Sequence, residues 1–163
     1  VCPLNVYGEQ KVLAEKEMMK RYPDITICRT SIMYGHYPNK IKNWFQKNLD
    51  SMRTGQDLLL FVDEYRTFLS VRKAVEGILL AIGMEKSILH LSGDERISRY
   101  DFARLTTRVF QITHAVLTPC RLADVPVTAP RPQDLSMDNS KVKLLGFNPS
   151  SIKKELEFLA GTM

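Results

Sequence analysis

Apolar side chains return at helical spacing in several stretches of the chain and cluster into short runs in others. Tyr7, Lys11, Ala14 and Met18 fall on one face and predict a helix over 7–22, ended by Pro23 and Asp24. Ile41, Trp44, Phe45, Leu49 and Met52 predict a second over 40–54, stopped by Gly55. Val71, Val75, Ile78, Leu79 and Ile82 form one stripe over 70–82 and are expected to face inward, with Gly83 after the end. Ser98-Arg-Tyr-Asp reads as a capping pattern before a helix over 99–111, with Leu105, Val109 and Ile112 as its apolar stripe. Shorter helices are predicted over 138–145, before Gly146, and over 151–159.

The apolar runs 25–31, 58–62, 88–91 and 116–119 read as strands, and the Pro-rich, polar stretch 121–135 as a surface excursion. Strand and helix alternate without internal repeats, so the fold class is α/β with parallel pairing. The 163 residues suffice for one region with its own core.

Composition removes several function classes. No apolar run approaches the roughly 20 residues of a spanning helix, and the first residues lack the basic-then-apolar order of a secretory signal. Cys2, Cys28 and Cys120 form no C-x-x-C pair, and His36, His90 and His114 lie far apart. Neither a disulfide framework nor a metal site is expected, and a reducing cytoplasmic setting is the default. The net charge of +5 suits an anionic small molecule. The positive residues are scattered at helical spacing, which reads as solvated helix faces and not as a nucleic-acid patch.

The segment with chemistry in it is Tyr7-Gly-Glu-Gln-Lys11, a phenol and an ammonium one helical turn apart. A free phenol holds its proton too tightly to exchange it near neutral pH, and a lysine cation beside it favours the phenolate. Such a tyrosine can protonate a developing alkoxide, and the lysine can donate to ribose hydroxyls. Taken alone the spacing is equally that of a packed tyrosine with a lysine lying along it.

A wider pattern surrounds that pair. Pro3-Leu-Asn-Val-Tyr7-Gly-Glu-Gln-Lys11 with Ala14-Glu15 resembles the active-site helix of extended short-chain dehydrogenases/reductases. Cys28-Arg29-Thr30-Ser31 to Tyr34-Gly35 is similar to the Arg-Thr-Ser…Tyr-Gly of the dTDP-4-dehydrorhamnose reductases. Asp63-Glu-Tyr-Arg66, His90-Leu-Ser-Gly-Asp-Glu-Arg-Ile-Ser98, Arg131-Pro-Gln-Asp134, Ser140-Lys141 and Leu145-Gly-Phe147-x-Pro149 resemble later segments of these sugar-modifying enzymes, in the same order. Two departures stand out: Ile32 occupies the place of the rhamnose-type tryptophan, and Arg72-Lys73 occupy the stretch where the family carries an aspartate.

The resemblance implies the C-terminal part of a Rossmann-like doubly wound parallel sheet plus a small α/β substrate-binding subdomain. About 1–35 and 56–83 would be the Rossmann remnants and the rest mainly substrate-binding. It implies Tyr7 as acid/base, Lys11 as its partner and as a hold on the nicotinamide ribose of NADP or NAD, and Arg66 and Arg131 on a substrate diphosphate. Ser31 would line the sugar pocket. The implied activity is reduction of a nucleotide-linked 4-keto sugar. An epimerase or dehydratase, or a non-catalytic regulatory module on the same fold, are the other readings.

None of the eight glycines forms the Gly-rich turn that cradles a pyrophosphate, so the main cofactor-binding half is expected to lie outside this sequence. The expected partners are a nucleotide-diphosphate sugar and either a second copy in a homodimer or an N-terminal half. Nucleic acid and membrane are not expected partners.

Overall fold

The computed structural model describes residues 2–37, 42–126 and 128–163. Helix α1 (Val6–Arg21) leads to β1 (Thr26–Thr30), β2 (Met33–Tyr34) and helix α2 (Trp44–Thr54). Strands β3 (Leu58–Phe61), β4 (Tyr65–Arg66) and β5 (Leu69–Ser70) precede α3 (Val71–Ala81). Then follow β6 (Ser87–Leu91), β7 (Ile97–Ser98), α4 (Arg99–Val109) and β8 (Leu117–Cys120). β9 (Asp134–Leu135), α5 (Ser140–Lys143) and α6 (Ile152–Thr162) close the chain.

Among the described residues, four of the five strand pairings are parallel: β1 with β6, β2 with β5, β3 with β8 and β4 with β9. β4 and β7 pair antiparallel. Parallel neighbours need crossovers, and the helices between them supply these, as expected for an α/β fold. The stretch 56–83 divides: its strand β3 joins β8, while its helix α3 lies against β1 and β6. The surface excursion is not wholly irregular, because its last residues, Asp134 and Leu135, pair alongside β4.

Local signals set the helix ends. Ser98 Oγ accepts from Asp101 N at 3.0 Å, an N-cap at the place the sequence predicts, and donates to the Asp101 carboxylate at 2.7 Å. Gly55 ends α2 with φ +69°, a left-handed turn that only glycine adopts freely. Ile41, expected on the inner face of α2, lies outside the described residues.

Among the described residues, three apolar clusters form the core. The largest joins Tyr34, Phe45, Leu49, Phe68, Phe102, Ile152 and Leu156. Phe68 and Phe102 stack at 4.1 Å between centroids at its centre. Gly93 lies so close to the link between β4 and β5 that a Cβ there would stand 2.3 Å from the Phe68 carbonyl oxygen, so no larger residue fits without moving backbone.

The inward face expected for α3 is corrected. Val71, Val75, Ile78, Leu79 and Ile82 are all exposed, and Ala74, Gly77 and Ala81 are buried instead. The reason is distance. A Cβ on Gly77 would sit 2.9 Å from Leu91 Cδ2 and 3.1 Å from Phe147 Cε2. The helix packs so near β6 that only small residues fit between them, and the bulky stripe lies about a third of a turn around. Likewise α4 buries Phe102, Ala103 and Thr106, while Leu105, Val109 and Ile112 pack at the cluster's margin. Among the described residues, no helix is long and apolar enough to cross a membrane.

Candidate functional site

Helix α1 carries Tyr7 and Lys11 and buries none of its residues. Its amphipathic contrast is weak in sequence, so little pulls one face against the body. Asn5 begins it: the Asn5 Oδ1 accepts from Gly8 N at 3.0 Å, and Nδ2 donates to the Pro130 carbonyl at 3.1 Å. That second bond ties the start of α1 to the loop carrying Arg131. A second tether lies nearly three turns on, where Arg29 of β1 meets Glu15 through Nε at 2.9 Å and Nη2 at 2.6 Å. The paired guanidinium holds the Glu15 carboxyl below its ordinary range, outweighing partial burial. Lys11 Nζ stands 5.5 Å from the Tyr7 ring centroid, and Tyr7 is 69 % exposed. The phenol and the ammonium are therefore adjacent and open to a ligand.

Ser31 is buried at the end of β1, with its amide donating to Leu91 O at 3.0 Å and its Oγ accepting from Thr67 Oγ1 at 3.4 Å. It lines an open groove together with Arg66, Asp134 and Met137. The structure thus brings Ser31 and Arg66 to one groove. Arg131 lines a neighbouring groove with Phe61, Pro126 and Thr128.

The two arginines differ in what they hold. Arg66 is buried, and its Nη1 donates to Tyr65 O at 2.6 Å and Gln133 O at 3.3 Å. Its Nη2 meets Pro132 O at 3.4 Å and Glu64 Oε1 at 3.1 Å. Arg131 is partly exposed, lies 5.4 Å over the Phe61 ring, and donates to Glu64 Oε1 from Nη2 at 2.7 Å and Nε at 3.2 Å. Burial would push the Glu64 carboxyl up, but Arg131, Arg99 and Arg66 outweigh it and hold it below the usual range.

Glu64 and Arg99 were not singled out from the sequence. Arg99 stands in the sequence as part of a helix cap, and Glu64 as part of the segment Asp63-Glu-Tyr-Arg66. The four residues of this cluster are spread from position 64 to 131, so no local spacing marks them.

Asp134 borders the same groove. Burial pushes its carboxyl up, but Ser136 and Arg96 Nε, at 2.7 Å, hold it at about 2, against an ordinary 3.8. A depressed folded value gives stability that is fully present above about 3.8 and is lost as pH falls through about 2. Asp134→Asn should therefore flatten the loss of stability in that acid window. Urea midpoints at pH 5 and pH 2.5 measure it, and an equal drop in both proteins would refute the assignment.

All three cysteines are free. Among the described residues, no group of histidine, cysteine or acidic side chains is arranged to hold a metal ion.

The chain is similar to known proteins along nearly its whole length. It is 26 % identical over 175 residues to the dTDP-4-dehydrorhamnose reductase of Aggregatibacter actinomycetemcomitans, covering 96 % of this chain and 57 % of that protein. It is 25 % identical over 152 residues to methionine adenosyltransferase 2 subunit beta of Xenopus laevis, covering 88 % of this chain and 45 % of the relative. The crystal structure of the Bacillus anthracis dTDP-4-dehydrorhamnose reductase in complex with NADP superposes with a TM-score of 0.84 at 19 % identity, over 99 % of this chain and 57 % of that one. That likeness establishes the fold. The chain spans about half the length of the curated relatives it matches. Residues 1–162 match the RmlD substrate binding domain, and the chain belongs to that family.

Proposed function

We propose that this chain forms the substrate-holding part, with the acid/base, of an NAD(P)-dependent reductase acting on a nucleotide-linked 4-keto sugar. One observation carries the reading: Tyr7 and Lys11 stand adjacent and exposed on a helix whose cap is bonded to the Arg131 loop. The pair fits the nicotinamide ribose end of such a cofactor, because Lys11 has three N–H donors and is open to it. The pyrophosphate end finds no Gly-rich turn among these residues and is expected to rest on protein outside them. When bound, the nicotinamide supplies a hydride to the sugar carbonyl carbon. Tyr7 holds a proton at Oη and gives it to the oxygen as the ketone becomes an alcohol. Lys11 favours the phenolate left behind. Ser31 and Arg66 line the place for the sugar, and Arg131 reaches its diphosphate. A cytoplasmic setting suits these substrates.

Similarity to a subunit of methionine adenosyltransferase, at nearly the same identity as to the reductase, favours a second reading as a non-catalytic subunit. Purified at the length its own cells make, the protein should oxidise NADPH or NADH only when a nucleotide-linked 4-keto sugar is added. No oxidation with either nucleotide, together with binding to a methionine adenosyltransferase, would favour the second reading.

A further inference from the structure

Three arginines meet one carboxylate at Glu64, which has no exposed surface. Its Oε1 takes Arg131 and Arg66, and its Oε2 takes Arg99. Three positive charges against one negative leave a formal excess of +2 among these four residues, with the Asp134 carboxylate also acting on Arg66. Arg66 is buried with Glu64, whereas Arg99 and Arg131 keep part of their side chains exposed, so the surplus charge stands where an anion can reach it.

The three guanidinium groups are not equivalent. Arg66 spends its donors on the carbonyls of Tyr65, Pro132 and Gln133 and on Glu64. Arg99 engages Glu64 through Nε, and its guanidinium lies 6.0 Å from the Trp44 ring centroid. Arg131 engages through Nε and Nη2 and lies over Phe61. Among the described residues, nothing accepts from the two Nη groups of Arg99 or from Nη1 of Arg131. Each of these planar groups is therefore fixed by one edge and by an aromatic neighbour, with further donors uncommitted. Guanidinium forks of this kind match phosphate oxygens in pairs.

We propose that Arg99 is a binding residue for a diphosphate, paired with Arg131, and that Glu64 is the positioning residue that holds the two as one clip. The proposal rests on the nucleotide-sugar reading above and deepens it. Arg66, in this arrangement, shapes the loop at 132–133 and faces the groove for the sugar, not the diphosphate. Glu64 keeps mutually repelling guanidinium groups together and leaves the +2 that two negative charges would complete.

Calorimetric titration with inorganic pyrophosphate at fixed ionic strength tests this, on the protein at the length its cells make. Arg99→Gln should weaken binding about tenfold or more, and Arg99→Lys should restore part of it, since charge returns without the fork. Arg104→Gln, on the same helix but outside the cluster, should change nothing. Glu64→Gln should weaken binding although it raises the net positive charge. Tighter binding in Glu64→Gln, or unchanged binding in Arg99→Gln, would overturn the proposal, because charge alone or other residues would then govern. If circular dichroism finds Glu64→Gln unfolded, the two Arg99 variants decide. Absence of pyrophosphate binding in the parent overturns the clip, while turnover of the keto-sugar judges the reductase reading separately.

Discussion

Tyr7→Phe should lower the turnover number by about 10²–10⁴-fold, the range that a positioned general acid contributes. The Michaelis constant for the sugar nucleotide should stay near that of the parent protein. The substitution removes one oxygen and leaves the ring in place. Tyr7 is 69 % exposed on a helix with no buried residue, so the folded state has little to lose. A change at such a surface position is ordinarily within about 0.5 kcal/mol of neutral. Loss of turnover without loss of stability therefore reports proton transfer and not packing. Steady-state kinetics beside a thermal melt measures both. An unchanged turnover number in Tyr7→Phe would remove the acid/base role and leave Tyr7 as a surface residue beside a lysine.

Phe102→Ala should cost about 3–5 kcal/mol of stability, the range for emptying a buried aromatic site. Phe102 is 3 % exposed at the centre of the largest core cluster. It stacks on Phe68 at 4.1 Å, and meets Tyr34 edge-on at 5.1 Å and Trp44 at 5.9 Å. Around it lie elements far apart in sequence: β2, α2, the turn before β5, and α6. Removing the ring opens a void that stiff neighbours, themselves held by backbone, cannot close. A domain is typically stable by only about 5–15 kcal/mol, so much of that margin would go. Chemical denaturation at equilibrium gives the number. A loss below about 1 kcal/mol would mean that the cluster relaxes around the gap and that this ring is not central.

The Tyr7–Lys11 pair, the Ser98 cap and the Gly55 stop were all legible in sequence, because each depends on residues within one turn of each other. The five helices of eleven or more residues were legible for the same reason, as spacing and punctuation. Legibility failed where distance in sequence began to matter. The stripe of α3 predicted a helix but not which side of it faces the sheet. Strands β2, β4, β5, β7 and β9 have two residues each, too few for alternation to register. Their pairing partners lie as many as 69 residues away, as Tyr65 and Asp134 do.

The sequence by itself determined the α/β alternation, the helix ends and the adjacency of a phenol and an ammonium, since backbone periodicity and capping are local. Only the tertiary structure decided that small residues face β6 from α3, that Ser31 and Arg66 share a groove, and that Arg66, Arg99 and Arg131 close on Glu64. Those outcomes follow from the close approach of a helix to a sheet and from the need of a buried carboxylate for partners. Both are settled by neighbours in space that the order of residues does not list.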